Sequence, residues 1–254
     1  MKIVFLGTNG WYTTPTGNTA CVLIDSKDRY IVFDAGNGIY KLNKYITEDK
    51  PIALFISHFH VDHISGLQIL LSFYLKQGID VYVAKGRKKD FDAFYNPPFM
   101  TSYLSKSQNA QSPKTEIRLH ELAEGEQNAG FPVSVIKQLH PFTDHGYKIS
   151  LEGKTIAYTG DCGLTDGLRK LAHDADVLIS ECSKIKSLEG DEPGHLDPVD
   201  AATVAKEENV KKLLLTHFSA VNYLTLEDRR EAERRAQTIF PNTTAAMDDM
   251  EIDL

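Results

Sequence analysis

At 254 residues, with 42% apolar and 25% charged residues, the chain can bury a sizeable core. A net charge of −7 gives no overall attraction to nucleic acid or anionic lipid, and no stretch approaches the ~20 apolar residues of a membrane span. Three scattered cysteines (Cys21, Cys162 and Cys182) exclude a disulfide scaffold and, with an N-terminal apolar run too short for an export signal, suit a reducing cytoplasm.

Short β-branched runs at 2–6, 20–25, 29–34 and 52–57 predict strands, with a helical stretch over 39–46 before the fourth. Leu67, Leu70, Leu71, Tyr74 and Leu75 recur at helical spacing, so 66–77 is predicted as a helix and 80–84 as the next strand. Residues 86–113 break the pattern. There Tyr95-Asn96-Pro97-Pro98-Phe99-Met100 mixes aromatics with prolines and reads as an irregular loop or lid. Strands resume at 133–139, 147–151 and 155–159, the last two joined as a hairpin across Glu152-Gly153-Lys154, and continue at 177–181 and 212–216. Before the last of these, Asp197 is a fitting helix N-cap, Pro198 suits the first helical position, and Asp200 favours the positive end of the dipole. Thr225 caps a long helix reaching about Phe240, and the tail at 246–254 alternates as a closing strand. The basic runs Arg87-Lys88-Lys89, Arg229-Arg230 and Arg234-Arg235 read as solvated helix faces. Two strand-rich halves with helices between them predict a layered α/β sandwich, with residues 1–254 forming a single domain.

The chemistry is concentrated after the strand at 52–57. His58-Phe59-His60-Val61-Asp62-His63 packs three imidazoles and a carboxylate into six residues, on a loop held by the strand before it. Such nitrogen and oxygen donors suit zinc, manganese or iron better than magnesium or calcium. His120 and His173 lie in amphipathic surroundings and are expected at the surface, whereas His145, beside Gly146, is a candidate to face the pocket. Cys162 and Cys182 are expected as buried packing residues.

The His58–His63 segment resembles the signature motif of the metallo-β-lactamase superfamily. His140 in Leu139-His140-Pro141, Asp161 in Tyr158-Thr159-Gly160-Asp161-Cys162 and His217 in Leu215-Thr216-His217-Phe218-Ser219 resemble its later motifs. Phe5-Leu6-Gly7-Thr8 and Phe33-Asp34-Ala35-Gly36 are similar to its N-terminal half. The resemblance implies a four-layer αββα sandwich and two divalent transition-metal ions, zinc first, with manganese or iron as alternatives. His58, His60 and His140 would hold one ion, Asp62, His63 and His217 the other, and Asp161 would bridge them. Open coordination positions would then admit a water, the condition for catalysis. Asp62 would also accept that water's proton.

His195 in Pro193-Gly194-His195-Leu196, together with Glu181, points to the ribonuclease Z-like and phosphodiesterase branch. There a histidine protonates the leaving group and a glutamate orients it. The resemblance therefore implies a hydrolase of small phosphodiesters or nucleotides. Transfer-RNA 3′-end processing is the alternative, and RNA is disfavoured as a partner. Ribonuclease Z carries a long arm between the positions matching His140 and Asp161, where this chain has only a tight hairpin. A lactonase or thioesterase would leave His195 without a role. A secreted β-lactamase lacks its export signal here, and the oxygen-reducing di-iron branch places a glutamate at the position of His60. A silent metal-binding protein would be expected to have lost ligands. Related proteins are often homodimers.

Overall fold

The structure, a computed structural model, describes residues 1–100, 115–187 and 194–254. The first half lays down β1 (Lys2–Gly7), the two-residue β2 (Asn9–Gly10), β3 (Cys21–Asp25), β4 (Tyr30–Phe33), β5 (Ile52–Phe55), β6 (Ile79–Ala84) and β7 (Ile117–Leu122). The second half contributes β8 (Gly125–Asn128), β9 (Pro132–Gln138), β10 (Asp144–Leu151), β11 (Lys154–Tyr158), β12 (Val177–Glu181), β13 (Lys212–Thr216), the short β14 (Phe218–Ser219), β15 (Thr243–Ala245) and β16 (Glu251–Asp253). They assemble into two seven-stranded sheets, ordered β16-β1-β3-β4-β5-β6-β7 and β15-β13-β12-β11-β10-β9-β8, while β14 and β2 pair with each other. Strands β4 to β7 run parallel, as do β11, β12, β13 and β15.

The helices are α1 (Leu42–Tyr45), α2 (Val61–Ile64), α3 (Lys88–Phe94), α4 (Asp166–Ala172), α5 (Pro198–Glu207) and α6 (Leu226–Gln237), with 3-10 turns at Asn37–Lys41 and Ser65–Ser72. Alternation along the strands sends one set of side chains between the sheets. There Phe33, Phe55, Tyr82, Phe131, Tyr147 and Tyr158 form a buried aromatic layer. The opposite set meets Ile39, Leu42, Leu67, Leu70 and Phe91 outside the first sheet, and Leu168, Leu171, Ala201, Val204 and Ala232 outside the second. These three cores make the expected αββα sandwich. No helix among the described residues is long and apolar enough to cross a membrane.

Local sequence chemistry accounts for several junctions. The β10–β11 hairpin turns on Glu152 and Gly153, both at positive φ (52° and 73°), as a two-residue hairpin turn requires. The Asp197 side chain accepts from the Val199 and Asp200 amides with Pro198 opening α5, and Thr225 forms a reciprocal capping box with Asp228 at α6.

Other expectations need correction. The predicted 66–77 helix is a 3-10 turn that stops at Ser72. Thr115 Oγ1 donates to the Phe73 carbonyl (2.6 Å) and accepts from the Leu75 amide (3.1 Å), drawing both out of a helical ladder. Within 86–113, residues 88–94 form α3, with Phe91 buried and Lys88 paired to Asp92 one turn on, whereas 101–113 lie outside the described residues. The tail is a strand only over Glu251–Asp253, and α6 ends before Phe240. The sequence reading also passed over β7, β8, β15 and α4. Arg230 and Arg234 do lie on a solvated face, paired with Glu227 and, for Arg234, also Glu231. Arg229 does not, being 0% exposed and hydrogen-bonded to Thr8 Oγ1, Asn9 Oδ1 and Thr16 Oγ1.

Candidate metal centre

Five strand ends converge at one edge of the sandwich. Asp34 follows β4, the His58–His63 segment follows β5, Asp161 follows β11, Glu181 ends β12, and His217 follows β13. His140 enters from the β9–β10 turn. The six-residue signature turns into α2 at Val61, so His58 and His60 precede the helix while Asp62 and His63 lie within it. His217 sits in the left-handed region at φ 53°, between β13 and β14. Gly10 of β2 lies so close that a Cβ there would stand 2.6 Å from the His217 ring.

The donor atoms fall into groups that could each hold a cation. His58, His60, His140 and Asp161 have ligand atoms within 4.8 Å of one another, as do Asp62, His63 and His217. Asp161 faces both groups with different oxygens. Its Oδ2 lies 3.8 Å from His58 Nε2 and 3.8 Å from His140 Nε2, and its Oδ1 lies 3.3 Å from His63 Nε2 and 3.2 Å from His217 Nε2. Asp62 Oδ2 is 3.3 Å from His217 Nε2 and 3.7 Å from His63 Nε2, and it accepts the Trp11 backbone N–H at 2.6 Å. His58 Nε2 and Asp161 Oδ1 are buried without a hydrogen-bond partner, an expensive arrangement unless a cation takes their lone pairs. The residues present therefore fit divalent metal ions.

A second ring of polar groups fixes the imidazoles. His58 Nδ1 meets Asp144 Oδ2 at 2.8 Å, His63 Nδ1 meets Asp34 Oδ2 at 2.7 Å, and His217 Nδ1 meets Ser183 Oγ at 3.0 Å. With Nδ1 occupied, each ring presents Nε2 to the centre. Asp34 is itself held by the Ser57 amide and hydroxyl and by Tyr158 OH at 2.6 Å, so the aromatic layer between the sheets ends in a hydroxyl that anchors the site. Burial holds the imidazoles of His58 and His60 below their ordinary range and lowers His140 to about 4, leaving neutral rings with free lone pairs. His63 differs. Burial again pushes it down, but Asp161, Asp34 and Asp62 outweigh this and hold it well above the ordinary value.

Beside these groups His195 Nδ1 meets Glu181 Oε1 at 2.9 Å, with its ring 5.4 Å from that of His140 and 6.1 Å from that of His217. Burial disfavours its charged form, yet the Glu181 carboxylate raises its pKa to about 9. Glu181 is buried and fixed by the Cys162 and Ser183 amides. A cleft of about 450 Å³ opens over the centre, lined by residues that include Trp11, His60, Asp62, Asp161, Lys184 and His195.

The nine residues singled out from the sequence thus lie together. The supporting Asp34, Ser57, Asp144 and Ser183 were passed over, as was Trp11. Acidic residues at predicted strand ends were the available signal for Asp34 alone. His145 is buried, faces Glu124 at 3.6 Å and does not line the cleft. His120 and His173 are exposed, and Cys162 and Cys182 are buried in the core as expected.

A family profile described as "Beta-lactamase superfamily domain" matches residues 29–218. The chain belongs to the metallo-β-lactamase superfamily, in its ribonuclease Z-like branch. It is 28% identical to "Probable metallo-hydrolase YhfI" of Bacillus subtilis (strain 168) over 94% of each chain. The crystal structure of that metallo-β-lactamase-fold protein superposes with a TM-score of 0.80 at 24% identity, covering 99% of this chain and 98% of that one. The chain is 29% identical to ribonuclease Z of Ligilactobacillus salivarius (strain UCC118), over 98% of this chain and 95% of the relative. Human tRNase Z, short form, matches with a TM-score of 0.74 and 26% identity over 100% and 99% of the two chains. This metallo-β-lactamase-fold protein is a hydrolase, and its fold implies divalent metal ions.

Proposed function

We propose that the protein is a dinuclear phosphodiesterase, with zinc as its metal, acting on small phosphodiesters or nucleotides. On this reading His58, His60 and His140 would hold one ion and Asp62, His63 and His217 the other, with Asp161 facing both groups. Bound cations of this kind lower the pKa of a water and stabilise charge developing on the phosphoryl oxygens. Asp62 stays ionised, because His63 and His217 outweigh its burial, and it accepts the proton of the attacking water. Glu181 fixes the His195 ring through Nδ1. That leaves Nε2 to donate its proton to the departing oxygen.

The His195–Glu181 pair carries the reading, since it places a proton donor beside the metal-binding groups, where a poorly acidic alkoxide leaving a phosphoryl group needs one. Transfer-RNA processing is the second reading, favoured by the ribonuclease Z relatives. Against it, the alignment with ribonuclease Z runs over 311 positions, so at least 57 of them find no counterpart among these 254 residues. Only a two-residue turn joins β10 to β11, between His140 and Asp161.

The test is the leaving-group dependence of the zinc-loaded protein. His195→Ala should cost on the order of 10²–10⁴-fold in turnover of diesters with alkyl leaving groups. The loss should be much smaller for p-nitrophenolate, which departs without a proton, and Glu181→Gln should give a milder version. Metal content should hold at two ions per chain. Because His195, Asp161 and His217 also form a group with ligand atoms within 4.8 Å, loss of an ion in His195→Ala would make His195 a ligand instead. Efficient cleavage of precursor transfer RNA with poor turnover of small diesters would overturn the substrate reading.

A further inference from the structure

The cleft carries a large aromatic ring that neither the metal groups nor the His195–Glu181 pair uses. Trp11 is 66% exposed, yet it lines the cleft beside Asp62. Exposed apolar side chains grouped in a polar-rimmed cleft mark a binding surface, and Val61, 68% exposed, lines this cleft along with Trp11. The Trp11 backbone lies in the left-handed region at φ 74°, a conformation a bulky residue keeps only when its surroundings enforce it.

Several contacts enforce it. The Trp11 N–H is bonded to Asp62 Oδ2 at 2.6 Å, and the Gly10 carbonyl before it accepts from the amides of Tyr12 (3.1 Å) and Ala220 (3.2 Å). Asn9 Nδ2 reaches forward to the Tyr12 carbonyl and to Thr14 Oγ1, and Asn9 and Gly10 pair in parallel with Phe218 and Ser219, directly after His217. Tyr12 braces the indole edge-on at 5.6 Å. The backbone that carries the indole is therefore fixed relative to Asp62 and His217, and Tyr12 flanks the ring.

We propose that Trp11 is a stacking platform for the nucleobase of a nucleotide diester, making it a specificity-determining residue of the phosphodiesterase site. This rests on the phosphodiesterase reading and narrows its substrate to diesters carrying a flat, π-faced base. Base–aromatic stacking has the required energy and tolerates different bases. The polar half of the substrate falls to the histidines, carboxylates and Lys184 that line the same cleft.

Two measurements test it. The first compares kcat/KM of the zinc-loaded protein for thymidine 5′-(p-nitrophenyl phosphate) and methyl p-nitrophenyl phosphate, which share a leaving group and differ in the base. Trp11→Ala should lower the ratio of the two values on the order of tenfold, mainly through KM, and Trp11→Phe should restore most of it. A ratio unchanged by Trp11→Ala overturns the platform, because the residue would then serve only through its backbone contact to Asp62. The second measurement needs no turnover. Trp11 is the chain's single tryptophan, so its emission reports the cleft alone. AMP should quench it saturably in the zinc-loaded protein, and ribose 5-phosphate should not. Quenching by both or by neither overturns the proposal. If neither diester is hydrolysed while AMP alone quenches, the base platform stands and the phosphodiesterase reading falls.

Discussion

Replacing Asp34 by asparagine isolates what the second ring of polar groups does for the metal centre. Asp34 Oδ1 accepts from the Ser57 amide at 2.8 Å, while Oδ2 accepts from Ser57 Oγ at 2.8 Å, His63 Nδ1 at 2.7 Å and Tyr158 OH at 2.6 Å. An amide that keeps its oxygen toward the Ser57 N–H must place its NH₂ where Oδ2 was. The two hydroxyls can rotate and accept from it. His63 can accept only by moving its proton from Nδ1 to Nε2, the atom that faces Asp161 and His217. With one to two buried bonds lost or weakened, the cost is about 2–4 kcal/mol. For a chain of this size that lowers the melting temperature by roughly 5–15 °C. The larger effect should fall on metal. Loss of an outer-shell partner typically weakens binding 10–100-fold, and here only the ion assigned to Asp62, His63 and His217 should suffer. Chelator-competition titration of refolded, metal-free Asp34→Asn protein would read both affinities, with a thermal melt alongside. Two ions bound with wild-type affinity would refute the idea that Asp34 sets the His63 tautomer.

Other consequences follow from the same geometry. Because His63 is held protonated above its ordinary range while His58, His60 and His140 are lowered, protons should compete for one ion only. As pH falls from about 8 to 6, chelator titrations should show one affinity weakening much more steeply than the other, and parallel weakening would contradict the assignment. In the metal-free protein the raised His63 value adds stability below its ordinary value of 6.5, and that stability is lost as pH rises through the higher folded value. Gly10→Ala would put a methyl 2.6 Å from His217 Cε1, against a ring already held by Ser183 Oγ. It should weaken the same ion on the order of tenfold with little change in the metal-free melt, and unchanged affinity would show that His217 has room to move. Arg229→Leu keeps a contact for Phe218 but strips the cation from Thr8, Asn9 and Thr16, so about 2–4 kcal/mol and roughly 5–15 °C of melting temperature should be lost. A melt within 2 °C of wild type, on the order of one exposed-site substitution, would mean those groups find water instead.

Legibility followed the range of the interaction. His58 to His63 lie within six residues, and the caps at Asp197 and Thr225 act within one turn, so each could be read from neighbours alone. The more distant candidate ligands His140, Asp161 and His217 were legible only through family resemblance, because a lone histidine or aspartate after a strand carries no signal of its own. Thr115 ends the 3-10 turn at Ser72 from about 40 residues away, a contact no periodicity over 66–77 could contain. Arg229 lies on the buried face of its helix with Ala232 and Ala236, but the charged run around it hides that spacing, and its partners Thr8 and Asn9 come from the far end of the chain.

Topology explains why the candidate ligands are so scattered in sequence and so close in space. In a parallel sheet all strands end at the same edge, and the loops leaving those ends share one rim. Here β4 and β5 run parallel in one sheet and β11, β12 and β13 in the other. Their five exits deliver Asp34, the His58–His63 segment, Asp161, Glu181 and His217 to the same rim. Six of the seven candidate ligands thus follow the end of a buried strand, and His140 comes from the β9–β10 turn. The two exits from the first sheet supply His58, His60, Asp62 and His63, and those from the second supply Asp161 and His217. Asp161 has one oxygen toward a histidine pair that includes His58 of the first sheet and one toward a pair that includes His63 of that sheet. The group therefore spans the gap between the sheets, which His58–Asp144, Asp62–His217 and Asp34–Tyr158 bridge as well. Metal binding should accordingly stiffen the packing of the two halves as a unit, because the ions would add a tie to a seam already packed by the apolar core between the sheets, with the stacked rings of Phe33, Tyr147 and Tyr158 beneath the site.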